Sequence, residues 1–272
     1  MDVLSAQRGV LSIIEHVDGI DGAIIDPDGS SAVAYGDAWP GLRVLRRDGQ
    51  AWQLGEVITG DSINHVAFSG DGNTLFLTGQ NKAVSVYGRM NERWVKTYDV
   101  PGASRVETSD SEGSVVAQVM SERKVIFFMR NSSGWQKMQQ ITLASGTGKG
   151  IKNSPDGVEL GGDGVRALVW FEEIYATWPR SILVFERTKS RFIYTTRLNF
   201  KSGIRRVNIS VDEKTIIALT DDNEVIRIVY GDGTWRADET LNIPGATAIS
   251  TTADGSETLV SRMDKTVSVV RW

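Results

Sequence analysis

With 272 residues, 40% of them hydrophobic, the chain can bury a large core in one domain or two. Lys+Arg 30 against Asp+Glu 34 leaves a formal net charge of -4, so there is no basic surplus to hold a phosphate backbone, and nucleic acid is set aside as a partner. A cysteine count of 0 excludes disulfides, thiolate metal sites and cysteine nucleophiles together.

At the start of the chain Asp2, Gln7 and Arg8 fall where a secretory signal would need an unbroken apolar segment. No later apolar run reaches the length of about 18 residues that crosses a bilayer. The expectation is therefore no Sec signal, no membrane insertion, and a cytoplasmic or particle-associated protein.

A short apolar strand followed by a tight turn then recurs along the chain, marked by Gly29, Gly72, Gly113, Gly164, Glu213 in the same slot, and Gly255. These positions stand 41 to 51 residues apart, the period of a propeller blade. Asp28-Gly29, Asp71-Gly72, Asp163-Gly164 and Asp254-Gly255 supply the positive φ of the hairpin. Val66 to Ser69, Thr74 to Thr78, Ala83 to Tyr87 and Trp94 to Asp99 set the pattern of four short strands per unit. An aromatic opens the fourth strand at Trp52, Trp94, Trp135, Phe192 and Trp235, and is expected to pack between neighbouring blades.

The sixth unit stops after Thr266 to Arg271, without a fourth strand of its own. Aligning Leu11 to Ile20 with Leu54 to Ile63 places the N-terminal segment in the vacant position, beside Val267 to Val270, with Trp272 supplying the missing ring. The expected fold is thus an all-β, six-bladed β-propeller of four-stranded antiparallel blades, a single domain over 1–272. Its blades would fall near 20–59, 60–100, 101–144, 145–200, 201–243, and 244–272 plus 9–17, with 1–20 as the closing segment. Closure of this kind hides sheet edges that would otherwise template aggregation.

Leu42-Arg43-Val44-Leu45, Asp48-Gly49, Trp52-Gln53-Leu54-Gly55 and Val66-Ala67-Phe68-Ser69-Gly70-Asp71-Gly72 resemble the FG-GAP type of blade found in integrin alpha-subunit heads. The likeness covers nearly the whole chain as a spaced pattern and implies fold alone. Integrin-like blades often hold calcium in an Asp-rich loop, but the loops here read Gly79-Gln80-Asn81-Lys82 or Ser121-Glu122-Arg123-Lys124, so no calcium site carries over.

Two groups of residues stand out as candidate sites. On the face that joins second to third strands, Trp39-Pro40 and the run Trp170-Phe171 through Tyr175 to Trp178-Pro179 place aromatics in loops, with Lys149 in a glycine-rich stretch nearby. Loop aromatics of this kind anchor interfaces; the plainer reading is that each ring folds back on its own blade. The stretch around Lys149 is no Walker loop, since Leu143 stands where that pattern needs glycine. In the innermost strands, His65, Arg105, Glu107, Glu159, Arg206 and Asn208 flank an apolar column and are expected to line a channel. An acid, a base and anion donors could converge there; mutually paired charges on a wet channel wall would look the same.

Only His16 and His65 exist, too few for a histidine metal centre, and no metal or other cofactor is expected. These features favour a non-catalytic protein-interaction or structural module, a scaffold component of a larger assembly such as a virion, whose partners are other proteins. One alternative is glycan or receptor binding through the Trp loops. Another is a hydrolase or lactonase working in the channel.

Overall fold

Second strands such as Thr215-Ile-Ile-Ala-Leu-Thr220 are buried along their whole length, whereas fourth strands such as Thr234 to Asn242 are exposed along most of theirs. A continuous apolar run suits a strand covered on both faces, and a polar run suits a sheet's outer edge. A computed structural model of the chain describes residues 22–25, 30–35, 41–48, 51–59, 63–69, 72–79, 83–101, 105–108, 115–119, 124–131, 134–143, 155–162, 164–171, 180–189, 191–252, 254–263 and 267–272. Every regular element among them is a strand, and the fold is an all-β propeller.

The chain divides into two compact units, Met1–Ile63 and Asn64–Trp272. In the first, β1 (Gly22–Ile25), β2 (Ser31–Tyr35), β3 (Gly41–Asp48) and β4 (Ala51–Thr59) form one antiparallel meander in chain order, with Val33, Leu42 and Val44 buried.

The second unit repeats that meander. It contains β5 (Ile63–Phe68), which starts at the boundary, β6 (Thr74–Gly79), β7 (Ala83–Met90) and β8 (Arg93–Pro101). The next blade holds β9 (Arg105–Thr108), β10 (Val115–Val119), β11 (Lys124–Asn131) and β12 (Gly134–Thr142). Then come β13 (Gly157–Leu160), β14 (Arg166–Phe171), β15 (Ser181–Arg187) and β16 (Phe192–Asn199), followed by β17 (Ile204–Ile209), β18 (Thr215–Thr220), β19 (Glu224–Gly231) and β20 (Thr234–Asn242). The last sheet has three strands, β21 (Ala246–Thr251), β22 (Glu257–Arg262) and β23 (Val267–Arg271). First strands of successive blades lie side by side, β9 with β13, β13 with β17, and β17 with β21.

Here the expectation of six four-stranded blades is corrected. Among the described residues there are five four-stranded sheets and one of three. The segment 9–17, expected to complete the last blade, lies outside the described residues, and so does the rest of 1–20.

The turns explain the period. In four blades the residue just after the first strand makes the same two backbone bonds: Ser69 N donates to Thr74 O and Gly72 N to Ser69 O, both 2.8 Å, and the pair recurs at Gly161, Ser210 and Thr252. The third position after that residue is Gly72 (φ 67°), Gly164 (φ 62°), Glu213 (φ 58°) and Gly255 (φ 68°). Left-handed backbone is needed at each, and glycine adopts it freely. The outer hairpins follow a second rule, with positive φ at both central residues, Asn91 and Glu92 in one and Asp232 and Gly233 in another, the geometry that matches strand twist.

Between blades the core is apolar and aromatic. Phe192, opening β16, stacks on Phe127 of the preceding blade with ring centroids 4.1 Å apart. Trp235, opening β20, packs with Leu168, Trp170, Ile182 and Val184 of the blade before it. At Phe192 and Trp235 the aromatic column works as an inter-blade contact, while Trp94 packs on Phe68 of its own blade, ring centroids 5.9 Å apart. Trp272 joins the cluster around Ile217, Leu219 and Val260, half-buried, and its Nε1 donates to Thr258 Oγ1 at 2.8 Å.

Candidate functional site

Strands β13 and β17 are short, and alternation holds over Val158–Leu160 of the first and Val207–Ile209 of the second. Val158 and Val207 turn into the core, so their neighbours in sequence face the other way. Glu159 is half-buried beside Val158, and Asn208 is half-buried beside Val207. Because the two strands adjoin, Asn208 Nδ2 reaches across from one blade to the next and donates to Glu159 Oε1 at 3.2 Å. Asn208 Oδ1 is buried and has no hydrogen-bond partner among the described residues. A buried acceptor in that state is a place where a donor would be welcome.

Arg206, two residues before Asn208 on β17, is exposed. Its Nη1 donates to the Arg205 carbonyl at 2.9 Å, which occupies one of the five donors a guanidinium carries. The arrangement thus offers a carboxylate, an amide that orients it, and a cation on the same strand as that amide. Such a set can accept a proton, hold a carbonyl compound and stabilise an oxyanion.

Of the six residues expected on the channel wall, the structure brings Glu159 and Asn208 into contact and puts Arg206 on the same strand. His65 is half-buried on β5, where its carbonyl accepts from Thr78 Oγ1 at 3.3 Å. Arg105 and Glu107 are on β9, in register with Gln118 and Val116; their side chains lie outside the described part.

The aromatic-loop site requires correction. Trp170 and Phe171 belong to β14 and are each only 1% exposed. Their side chains enter opposite cores, Trp170 with the blade that follows and Phe171 with the blade before. The run Arg166-Ala-Leu-Val-Trp-Phe171 is covered on both faces, so apolar residues continue to its last position instead of marking a loop. The other residues of that site, Trp39, Pro40, Lys149, Tyr175, Trp178 and Pro179, lie outside the described residues.

The sequence reading missed two tie points between blades. Glu213 is 3% exposed, and its Oε1 accepts from Val165 N at 2.9 Å in the preceding blade, while Arg166 Nη1 donates to the Glu213 carbonyl at 2.7 Å. Arg205 pairs with Asp221 at 2.8 Å and donates to the Ala246 carbonyl of the next blade at 3.2 Å. The signal for the first was present, since a glutamate standing in a glycine slot needs a reason.

Among the described residues, no group of three or more His, Cys, Asp or Glu is placed to hold a metal ion, and no helix is long and apolar enough to cross a membrane.

No protein-family model matches the chain, and no curated protein matches it in sequence. Solved structures do resemble it. A functionally unknown protein from Desulfotomaculum acetoxidans has a TM-score of 0.73 at 16% identity, with 95% of this chain and 84% of that one covered. A candidate 6-phosphogluconolactonase from Bacteroides fragilis has a TM-score of 0.70 at 12% identity, covering 92% and 79%. The periplasmic gluconolactonase of Pseudomonas aeruginosa has a TM-score of 0.67 at 16% identity, covering 91% and 79%.

At these identities the likeness is one of fold. It nevertheless corrects the leading expectation. The chain falls beside propellers named for lactonases, which goes against a non-catalytic assembly module and is in line with the alternative reading of a channel-located lactonase.

Proposed function

We propose that the protein is a lactonase-type hydrolase that opens a small sugar-acid lactone on the surface formed by the first strands of its blades. The observation that carries this reading is the Glu159–Asn208 contact between adjoining first strands, with Asn208 Oδ1 buried and lacking a partner among the described residues. The fold shared with a gluconolactonase supports the substrate class.

In this reading Glu159 is the general base. It takes a proton from water as the water oxygen bonds to the lactone carbonyl carbon. Charge gathers on the carbonyl oxygen, and Arg206 is the donor nearest in the chain to meet it. Collapse of the tetrahedral species breaks the ring C–O bond, and the leaving ring oxygen takes the proton back from Glu159. Water and lactone are converted to one hydroxy acid, with the carboxylate regenerated. Asn208 is a positioning residue that holds Glu159 in one orientation across the blade boundary.

The test is hydrolysis of aldonolactones, with and without a phosphate, followed by acid release in a pH-stat. Glu159→Gln keeps the shape and the hydrogen bond but removes the base, and is expected to lower kcat by about 10²–10⁴-fold, the range for general acid–base groups. Asn208→Ala, which leaves the base in place but free to turn, is expected to cost less and to alter the pH profile. Wild-type turnover in Glu159→Gln, or no turnover of any aldonolactone by the native chain, overturns the proposal.

A further inference from the structure

The outer strands of the same two blades leave a second hollow. A cleft of about 570 Å³ opens between β16 on one wall and the β19–β20 pair on the other. That volume is within the range of small-molecule sites, roughly 300–1,000 Å³. Register assigns the walls. Leu198 is paired with Ile182, whose side chain enters the core between these blades, and Phe200 packs on the same core. Facing them are Ile226 and Ile228, paired with Ala218 and Ile216 of that core. Ala237 and Thr240, their partners on β20, complete the second wall.

The hollow follows from one small residue. Two positions after the aromatic that opens the fourth strand, the other blades carry Leu54, Lys96, Lys137 and Tyr194, and here Ala237 stands in that place. A methyl group takes the room of a long side chain, and the gap stays open.

The charges sit at one end of it. Glu224, the first residue of β19, shares the sheet face of Ile226 and Ile228 and is half-buried. Lys201 lines the cleft from the bend just after β16 and is exposed. A third strand starts where a fourth strand ends, as Ser181 opposite Asn199 and Glu224 opposite Asn242 show, so both residues stand at the same end of their blades. Arg197, paired with Leu183, belongs to the opposite sheet face and takes no part. Among the described residues the Lys201 ammonium and the Glu224 carboxylate have neither an ion pair nor a hydrogen bond. Lys201 accepts from Arg180 Nη1 through its carbonyl, and Glu224 donates to Thr220 Oγ1 through its backbone N–H at 3.2 Å.

We infer that this cleft binds a small zwitterion with an apolar body, an α-amino acid with a large aliphatic or aromatic side chain. Its ammonium meets Glu224, its carboxylate meets Lys201, and its side chain runs between Leu198 and Ile226 toward Ala237. An ion of one sign would leave either the lysine or the glutamate without a counterpart, and a wholly polar zwitterion would leave the apolar walls wet. A head group with both charges close together suits a site whose two charged residues share one end. These outer strands take no part in the lactone chemistry, so the two readings stand or fall separately.

L-Phenylalanine is the probe, titrated into the full chain by calorimetry. One saturable site per chain is expected. Phenethylamine, which lacks the carboxylate, and hydrocinnamate, which lacks the ammonium, should each bind at least about tenfold more weakly, a difference of about 1.4 kcal/mol. Lys201→Gln should erase the advantage of L-phenylalanine over phenethylamine, and Glu224→Gln its advantage over hydrocinnamate. Ala237→Leu fills the gap with the residue type that the first blade carries as Leu54, and should abolish binding with the melting curve kept. If that variant does not fold, the two glutamine variants decide, since neither side chain is fully buried. No saturable binding, equal affinity for either singly charged analogue, or unchanged binding in Lys201→Gln, in Glu224→Gln or in a folded Ala237→Leu overturns the assignment.

Discussion

Replacing Glu213 separates the contributions that hold one blade to the next. The residue has φ 58°, a left-handed conformation that costs a side-chain-bearing residue roughly 1–2 kcal/mol. Its side chain more than offsets this. A Cβ added to Gly161 would lie 2.3 Å from Glu213 Oε1, and one added to Gly162 would lie 2.5 Å from Val211 Cγ1. Two side chains absent on one blade thus form the notch that the neighbouring turn fills. Inside it Glu213 Oε1 accepts from Val165 N, and leaving that donor without a partner costs about 1–3 kcal/mol.

Glu213→Ala loses the bond and the filling while keeping the left-handed strain, and is expected to destabilise by about 2 kcal/mol. Glu213→Gly loses the same contacts but relieves the strain, so about 1 kcal/mol should return. Urea unfolding followed by tryptophan fluorescence measures both, and melting should fall by about 2–4 °C per kcal/mol in a chain of this size. A glycine variant more stable than wild type would show that the side chain does not offset the strain of its backbone. Equal stability of the two variants would show that the backbone is not strained.

Phe192→Ala empties the stack on Phe127 and should destabilise by about 3–5 kcal/mol, read from the same urea transition. Gly157→Ala puts a methyl 1.7 Å from Trp170 Cζ2; it should destabilise by about 1–3 kcal/mol and shift tryptophan emission, which an exposed Trp170 would not do. Asp254 is held at a pKa of about 2, first by the Ser256 backbone N–H and then by the Thr252 and Ser256 hydroxyls. Its contribution to stability is therefore complete above the ordinary value of 3.8 and lost as pH falls through about 2. Asp254→Asn should flatten the acid arm of the stability profile in that window, checked by melting curves at stepped pH.

The period, the turn chemistry and the aromatic column were legible in the sequence because each rests on local rules. Gly72, Gly164 and Gly255 each follow a short apolar strand at the same interval, where a tight turn needs left-handed backbone, and a ring opening the fourth strand recurs with the blade. Which polar side chains meet between blades was not legible, since each contact joins residues about 50 positions apart and nothing local to either one names its partner. Asn208 finding Glu159, Glu213 entering the notch at Gly161, and Trp170 turning inward instead of out each depend on which strand lies beside which. The sequence by itself determined an all-β chain of repeated four-strand units. Only the tertiary structure decided that two aromatics of the supposed loop are core, that one carboxylate and one amide meet on adjoining first strands, and that the last described sheet has three strands. The reason is that turn geometry is set within a few residues, while the pairing of side chains across blades is set by packing.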